Sequence, residues 1–262
     1  MTLEISDLDN VWQPHALEYL RRAPYRNAIP LSNVTQLRPN CAVVVAHSRE
    51  LIQGVASHYR DLPFPAVTFV AELGDPLPTL LAALAERVPA LRTDTISTVV
   101  PEHRARQLSQ YVRVESLELE WQMVVEPETL KPHELPDIRR LHEADLPAMQ
   151  ALAEQGGMVA WRPGILANGP AFGAFVAEQL VAMAATHFAT TDVIEIGNIV
   201  THPAYRRQGF SRACVSTLAR AGFTLAPRVY LLVMTDNDSA YAAYRRLGFW
   251  PAERFAFVRF RL

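Results

Sequence analysis

The 262-residue sequence predicts a mixed α/β fold in two domains. Three observations carry this expectation. Strand-like and helix-like runs alternate along the whole chain. The length suits two domains of roughly 150 residues each. A stretch near the middle, EPETLKPHELP from Glu126 to Pro136, holds three prolines and few apolar residues, and reads as a connection between two halves. The expected domains are therefore 1–127 and 137–262.

In the first half, 14–22 and 49–59 read as helices. The apolar runs CAVVVAH (41–47) and AVTFVA (66–71) read as buried strands. Pro76-Leu77-Pro78 opens a helix to Arg87 with apolar residues at 77, 80, 81, 84 and 88. A strand at 94–100, a helix at 101–112 and an alternating strand at 116–125 (SLELEWQMVV) complete the half. The second half begins with a strand at 138–141 and a helix at 144–155 that Gly156-Gly157 terminates. Runs 172–177 and 180–188 form a hairpin turning at Glu178-Gln179. A strand at 193–201, a helix at 208–221, a strand at 228–234, a helix at 239–247 and a strand at 254–261 follow. The order β-α-β-β-β-α-β-α-β packs helices on a mixed sheet.

Formal net charge is −2, and Lys131 is the single lysine, so no basic field argues for nucleic acid or an acidic membrane. Cys41 and Cys214 lie far apart without metal-ligand spacing, so neither a disulfide framework nor a metal site is expected. Met1–Asp7 has no positive segment leading into an apolar one, and no run approaches the roughly 18 apolar residues of a membrane helix. The expectation is a cytoplasmic protein without nucleic-acid or membrane partners.

The chemically informative stretch is IEIGNIVTHPAYRRQGFSRACVSTL, 194–218. A strand ends at Thr201, Pro203 stops its ladder, and Arg206-Arg207-Gln208-Gly209-Phe210-Ser211 opens a helix. The N–H groups of a first helical turn have no intrahelical partners, and the helix dipole favours anions there. Gly209 lets a phosphate approach the main chain, and Arg206, Arg207 and Arg212 add positive charge. A helix start of this kind is common by itself. It gains meaning from TDNDSAYAAYRRLGF, 235–249, which follows the next strand.

Together the two segments resemble the acyl-CoA motifs of the GNAT superfamily of N-acetyltransferases. Its Gln/Arg-x-x-Gly-x-Gly/Ala signature is matched by Arg206 and Gly209, with Ser211 a departure that stays small. Its Asn…Ala…Tyr…Leu-Gly-Phe signature is matched by Asn237, Ala240, Tyr244 and Leu247-Gly248-Phe249. The resemblance covers about 138–262. It implies a GNAT acyl-CoA N-acyltransferase fold preceded by a smaller, degenerate GNAT-like domain. It further implies acetyl-CoA as donor, its pantetheine arm on Ile199, Val200 and Thr201 as an added strand. The pyrophosphate would lie on the N–H groups of 207–212, and Asn237 would bond the cofactor arm.

Acyl transfer needs a neutral amine, and an ordinary one is only about one part in a thousand deprotonated at pH 7, a cost of roughly 4 kcal/mol. Glu195, eleven residues before Arg206, stands where several GNAT enzymes place a general base. Tyr244 matches the group that protonates the departing thiolate. A main-chain N–H near Val200 would stabilise the oxyanion. Each residue has a plainer reading: Glu195 as an exposed strand carboxylate, Tyr244 as a core aromatic, His187 as a rim or core residue, His202 as an exposed loop histidine. Asp238 reads as the N-cap of the last helix, Trp161 and Arg162 as a loop bordering the acceptor, and Phe255, Phe257 and Phe260 as core.

YLRRAPYRNAIPLSNVTQL (19–37) with the strand after it is similar to the N-terminal region of glycine N-acyltransferase-like proteins. No phosphate motif precedes residue 130, so this half is expected to be a scaffold forming one wall of the acceptor site. The function implied is transfer of an acetyl group to a primary amine of a small molecule or amino acid, with a homodimer allowed. The competing reading is a non-catalytic acyl-CoA-binding regulatory module.

Overall fold

The computed structural model describes residues 3–71, 76–158 and 160–262. The residues group into two units, Met1–Glu120 with Arg254–Leu262, and Trp121–Glu253. The expected division at 1–127 and 137–262 has no place for the return of the C-terminal nine residues to the first unit. Their apolar face explains that return: Ala256, Val258 and Phe260 are fully buried in the first unit's core.

The first unit runs β1 (Glu4–Asp7), α1 (Trp12–Leu20), α2 (Ala28–Val34), β2 (Cys41–Ser48), β3 (Leu51–Tyr59), β4 (Ala66–Ala71), α3 (Pro76–Arg87), β5 (Ile96–Pro101), α4 (Glu102–Leu108) and β6 (Arg113–Val125). Its strands lie in the order β1-β2-β3-β4-β5-β12, where β12 is Trp250–Arg261. β12 pairs antiparallel with β5 from Phe255↔Pro101 to Phe260↔Ile96. Because side chains alternate across a strand, Phe260 shares its face with Ala256 and Val258. Phe255 and Phe257 point to the other face, where Phe255 is buried and Phe257 half-buried.

The helix expected at 49–59 is strand β3. Its partner β2 ends at Ser48, and Arg49-Glu50 forms the turn, with Arg49 left-handed. Gly54 weakens a helix, and here it has a packing reason. A Cβ at that position would stand 2.7 Å from Leu80 Cδ1, so α3 rests directly on the strand backbone. α3 itself starts with Pro76 and Pro78, which remove two of the four N–H groups that a helix start leaves unpaired. Pairing of β4 with β5 is parallel and limited to Ala66↔Ser97.

The second unit takes the end of β6 and adds β7 (Ile138–Arg140), α5 (Leu146–Gln155), β8 (Ala171–Val176), β9 (Gln179–Ala189), β10 (Ile194–Thr201), α6 (Phe210–Gly222), β11 (Val229–Met234) and α7 (Asp238–Arg246). The strand order is β6-β11-β10-β9-β8-β7. Met123 and Val125 of β6 join α6, α7 and the inward residues of β10 and β11 in one core. α5 packs a second core with Met183, Ala185 and Val200. The hairpin between β8 and β9 turns at Ala177-Glu178, one residue earlier than expected. Both have positive φ, 46° and 65°, the two-residue turn that suits the strands' twist.

Each unit therefore repeats one order: antiparallel strands, then strand, helix, parallel strand, helix and a last strand. Each last strand is built into the other unit, β6 beside β11 and β12 beside β5. Phe260→Ala, only two residues from the C-terminus, is expected to cost about 3–5 kcal/mol of stability, read from urea denaturation. A loss below ~1 kcal/mol would show that the terminal strand is not part of the first unit's core.

Candidate active site

The site is built where β10 and β11 part. Their parallel pairing covers Ile194↔Val229, Glu195↔Tyr230 and Ile196↔Leu231. β10 continues to Thr201 against β9 alone, with register shifts at Glu195/Ile196 and again between Gly197 and Val200. Asn198, inside the second shift, has φ 46° and is buried, and its Nδ2 has no partner among the described residues. The edge of β10 at Ile199, Val200 and Thr201 that faces away from β9 thus has no strand partner among the described residues, the arrangement that an extended amide chain completes.

Beyond Thr201, a short 3-10 turn at Pro203–Tyr205 leads to the start of α6. His202 caps that turn, its Nδ1 accepting from the Ala204 N–H at 3.3 Å. Arg207 and Gly209 take the left-handed region, at φ 64° and 92°. Gly209 occupies the N-cap position of α6 with no side chain to cap it, so the N–H groups of Phe210, Ser211 and Arg212 stay open to an anion. Arg206, Arg207 and Gln208 are exposed around this start, and Ser211 and Arg212 are half-buried in its first turn.

His133 also stands over Gly209, a placement that no local motif announces. A Cβ on Gly209 would lie 2.5 Å from His133 Nε2, and that nitrogen is buried without a partner among the described residues. The segment bearing His133 is tied down on both sides. Its N–H donates to Ser216 Oγ at 3.1 Å, and Lys131 N donates to the Leu247 carbonyl at 2.8 Å. Burial, then the Arg212 charge, holds the His133 imidazole below the usual histidine range.

Glu195 is not an exposed strand carboxylate. It is 5% exposed, on the face opposite Ile194 and Ile196. Its Oε1 lies 2.7 Å from His187 Nδ1, and Tyr230 OH donates to its Oε2. Sequence reasoning reached His187 only as a rim or core residue, because its placement comes from a strand bulge, and missed Tyr230, which looks like an ordinary core aromatic between Val229 and Leu231.

Asn237 Oδ1 accepts from the Ala240 N–H at 3.1 Å, so Asn237, and not Asp238, caps α7. The cap leaves the Asn237 amide Nδ2 as its donor end. Tyr244, on α7, is buried against Phe249, with ring centroids 6.1 Å apart, and burial pushes its phenol pKa well up. Trp161 packs against the α5 core with its indole Nε1 buried and without a partner among the described residues. No group of His, Cys, Asp and Glu able to hold a metal ion occurs among the described residues. No helix among them is long and apolar enough to cross a membrane.

Residues 135–249 match the model of the acetyltransferase (GNAT) family, so this segment carries a GNAT acetyltransferase domain. A putative GNAT acetyltransferase from Novosphingobium aromaticivorans is similar at 23% identity and TM-score 0.62, covering 79% of this chain and 88% of its own. A GCN5-related N-acetyltransferase from Kribbella flavida is similar at 20% identity and TM-score 0.66, covering 94% and 95%. A tandem GNAT protein from the clavulanic acid biosynthesis pathway is similar at 15% identity and TM-score 0.67, covering 98% of both chains. At these identities the likenesses establish the fold, and the tandem protein extends it over both units. No curated protein sequence matches this chain.

His133 yields a pH prediction. Its folded pKa lies below the usual 6.5, so the unfolded chain binds the proton first as pH falls. The stability that comes from keeping it neutral is complete above about pH 6.5 and declines below it. Urea midpoints measured between pH 8 and 5 should fall less steeply for His133→Gln than for the unsubstituted protein; equal slopes would remove His133 from the linkage.

Proposed function

We propose that the protein is an acyl-CoA-dependent N-acyltransferase that moves an acetyl group from acetyl-CoA directly onto a primary amine of a small molecule or amino acid. The observation that carries the reading is the parting of β10 from β11 after Ile196↔Leu231, aimed at the uncapped start of α6. The residues fit the donor. Ile199, Val200 and Thr201 offer strand-edge amides to a pantetheine arm, and the orphaned Asn198 Nδ2 lies in the same bulge. Arg206, Arg207, Gln208, Gly209, Phe210, Ser211 and Arg212 surround the place for a pyrophosphate, and Asn237 keeps its Nδ2 for the arm. When bound, the thioester supplies an activated acyl carbon.

The chain's own groups then manage protons. The cluster of His187, Glu195 and Tyr230 behind the strand edge takes a proton from the acceptor nitrogen. The Tyr244 phenol, kept protonated by burial, is suited to give one to a leaving thiolate. Main-chain N–H groups near Val200 face developing negative charge on oxygen. The cytoplasm is part of the reading, since Cys41 and Cys214 are free and buried, with burial pushing both thiols up to about 12. The acceptor is the small-molecule partner; nucleic acid, membrane and metal have no role in the reading.

Thiol release from acetyl-CoA across a panel of amines, amino acids and peptides tests the proposal. Tyr244→Phe is expected to lower kcat at least about tenfold, within the range general acids contribute. Tight acetyl-CoA binding without turnover on any acceptor would make the protein a binding module instead.

Gly209→Ala supplies a second test. A side chain there is strained at φ 92° and meets His133, so calorimetric affinity for coenzyme A should drop about tenfold, or ~1.4 kcal/mol. Unchanged affinity would move the pyrophosphate away from this helix start.

A further inference from the structure

We infer that His187 is the catalytic base that takes the acceptor's proton, and that Glu195 and Tyr230 form a positioning pair behind it. The inference rests on the N-acyltransferase reading.

Glu195 is the inner member of the group. Its side chain is 7% exposed, against 28% for His187. Both carboxylate oxygens are engaged, Oε1 with His187 Nδ1 and Oε2 with the Tyr230 hydroxyl. An ammonium could reach either oxygen only by displacing one of these partners. An ionised carboxylate only accepts, so the contact with Oε1 puts the ring hydrogen on Nδ1. The lone pair is thereby left on Nε2, a buried atom with no partner among the described residues.

The fold aims that lone pair. The register of β9 on β10 steps from Glu195↔Phe188 to Ile196↔Thr186, so His187 is the extra residue of a bulge. Bulges redirect a side chain, and this one turns His187 towards Glu195. The ring then rests on Gly197, where a Cβ would fall 2.1 to 2.4 Å from three ring atoms. Gly197 begins the second register shift, the one that contains Asn198 and ends at Val200. Nε2 is therefore carried from Glu195 towards the parted edge of β10. Asn168 fixes the backbone beneath it, its Nδ2 donating to the His187 carbonyl.

In the step itself, the acceptor nitrogen forms a C–N bond with the acyl carbon of the thioester. The C–S bond breaks with its electron pair going to sulfur. The proton the nitrogen sheds passes to His187 Nε2, and the Glu195 carboxylate stabilises the resulting imidazolium. The proton then leaves to water.

The test uses the full chain, acetyl-CoA and whichever panel amine, amino acid or peptide turns over with unsubstituted protein. His187→Gln should lower kcat at least about a hundredfold, with calorimetric affinity for acetyl-CoA within twofold. Gly197→Ala, which alters no polar atom, should lower kcat by displacing the ring. Added imidazole should restore turnover to His187→Ala, an effect a structural role would not produce. The double variant His187→Gln/Glu195→Gln should be no slower than the slower single one, because the two act as a unit.

If His187→Gln and Gly197→Ala keep more than half of kcat while Glu195→Gln loses a hundredfold, Glu195 is itself the base and the inference falls. If the unsubstituted protein turns over no acceptor, the transferase reading fails first and takes the inference with it.

Discussion

The structure depends on a hydrogen-bond ladder that stops early. β10 and β11 share a parallel register for three residues, and β10 then runs on against β9 alone. An unpaired strand edge inside a protein is costly unless something completes it. The second unit arranges everything else around that edge. α6 begins where the edge ends, α7 places Tyr244 beneath it, and α5 packs Val200 from the other side. The two register shifts along β10 are what let one strand bury Ile194 and Ile196 towards α6 while turning Val200 towards α5.

The exchange of last strands explains why a chain of this length keeps both halves. The second unit needs Met123 and Val125 from β6 to close its core, and the first needs Ala256, Val258 and Phe260 from β12. Burial on this scale is a cooperative term, roughly 1.5–3 kcal/mol for each large apolar side chain. The second unit is the unbroken stretch Trp121–Glu253, which takes in the proline-rich connection, whereas the first is closed only by the return of Arg254–Leu262. Thr129 makes the same point: its carbonyl lies within 1.9 Å of where a Cβ on Gly248 would be, so the connection is packed against the second unit.

Much of the second unit was legible because its residues state their geometry locally. Gly209 after two arginines marks a helix start open to anions, and Asn237 to Phe249 marks the helix that carries Tyr244. The misreadings have physical causes. Residues 49–59 were expected to be helical because their apolar spacing suits either element, and only Gly54 beneath Leu80 shows why the strand wins. Phe255, Phe257 and Phe260 looked alike, but the period of two puts Phe260 on the opposite face from the others. His187 was unreadable for another reason. Its importance comes from a bulge that brings it onto Gly197 and against Glu195, and a bulge is a property of two strands in register, not of either sequence alone.

The prolines at the start of α3 have a consequence for what that helix start can offer an anion. α3 stands in the first unit where α6 stands in the second, between a strand and its parallel neighbour. Pro76 and Pro78 take away half of the amide donors that α6 keeps. A phosphate would meet missing donors at one helix start, and open donors beside arginines at the other. Two units with the same order of elements thus differ in what their corresponding helix starts offer: a phosphate-bearing ligand held at such a start would find its amide donors at α6 and lack two of them at α3.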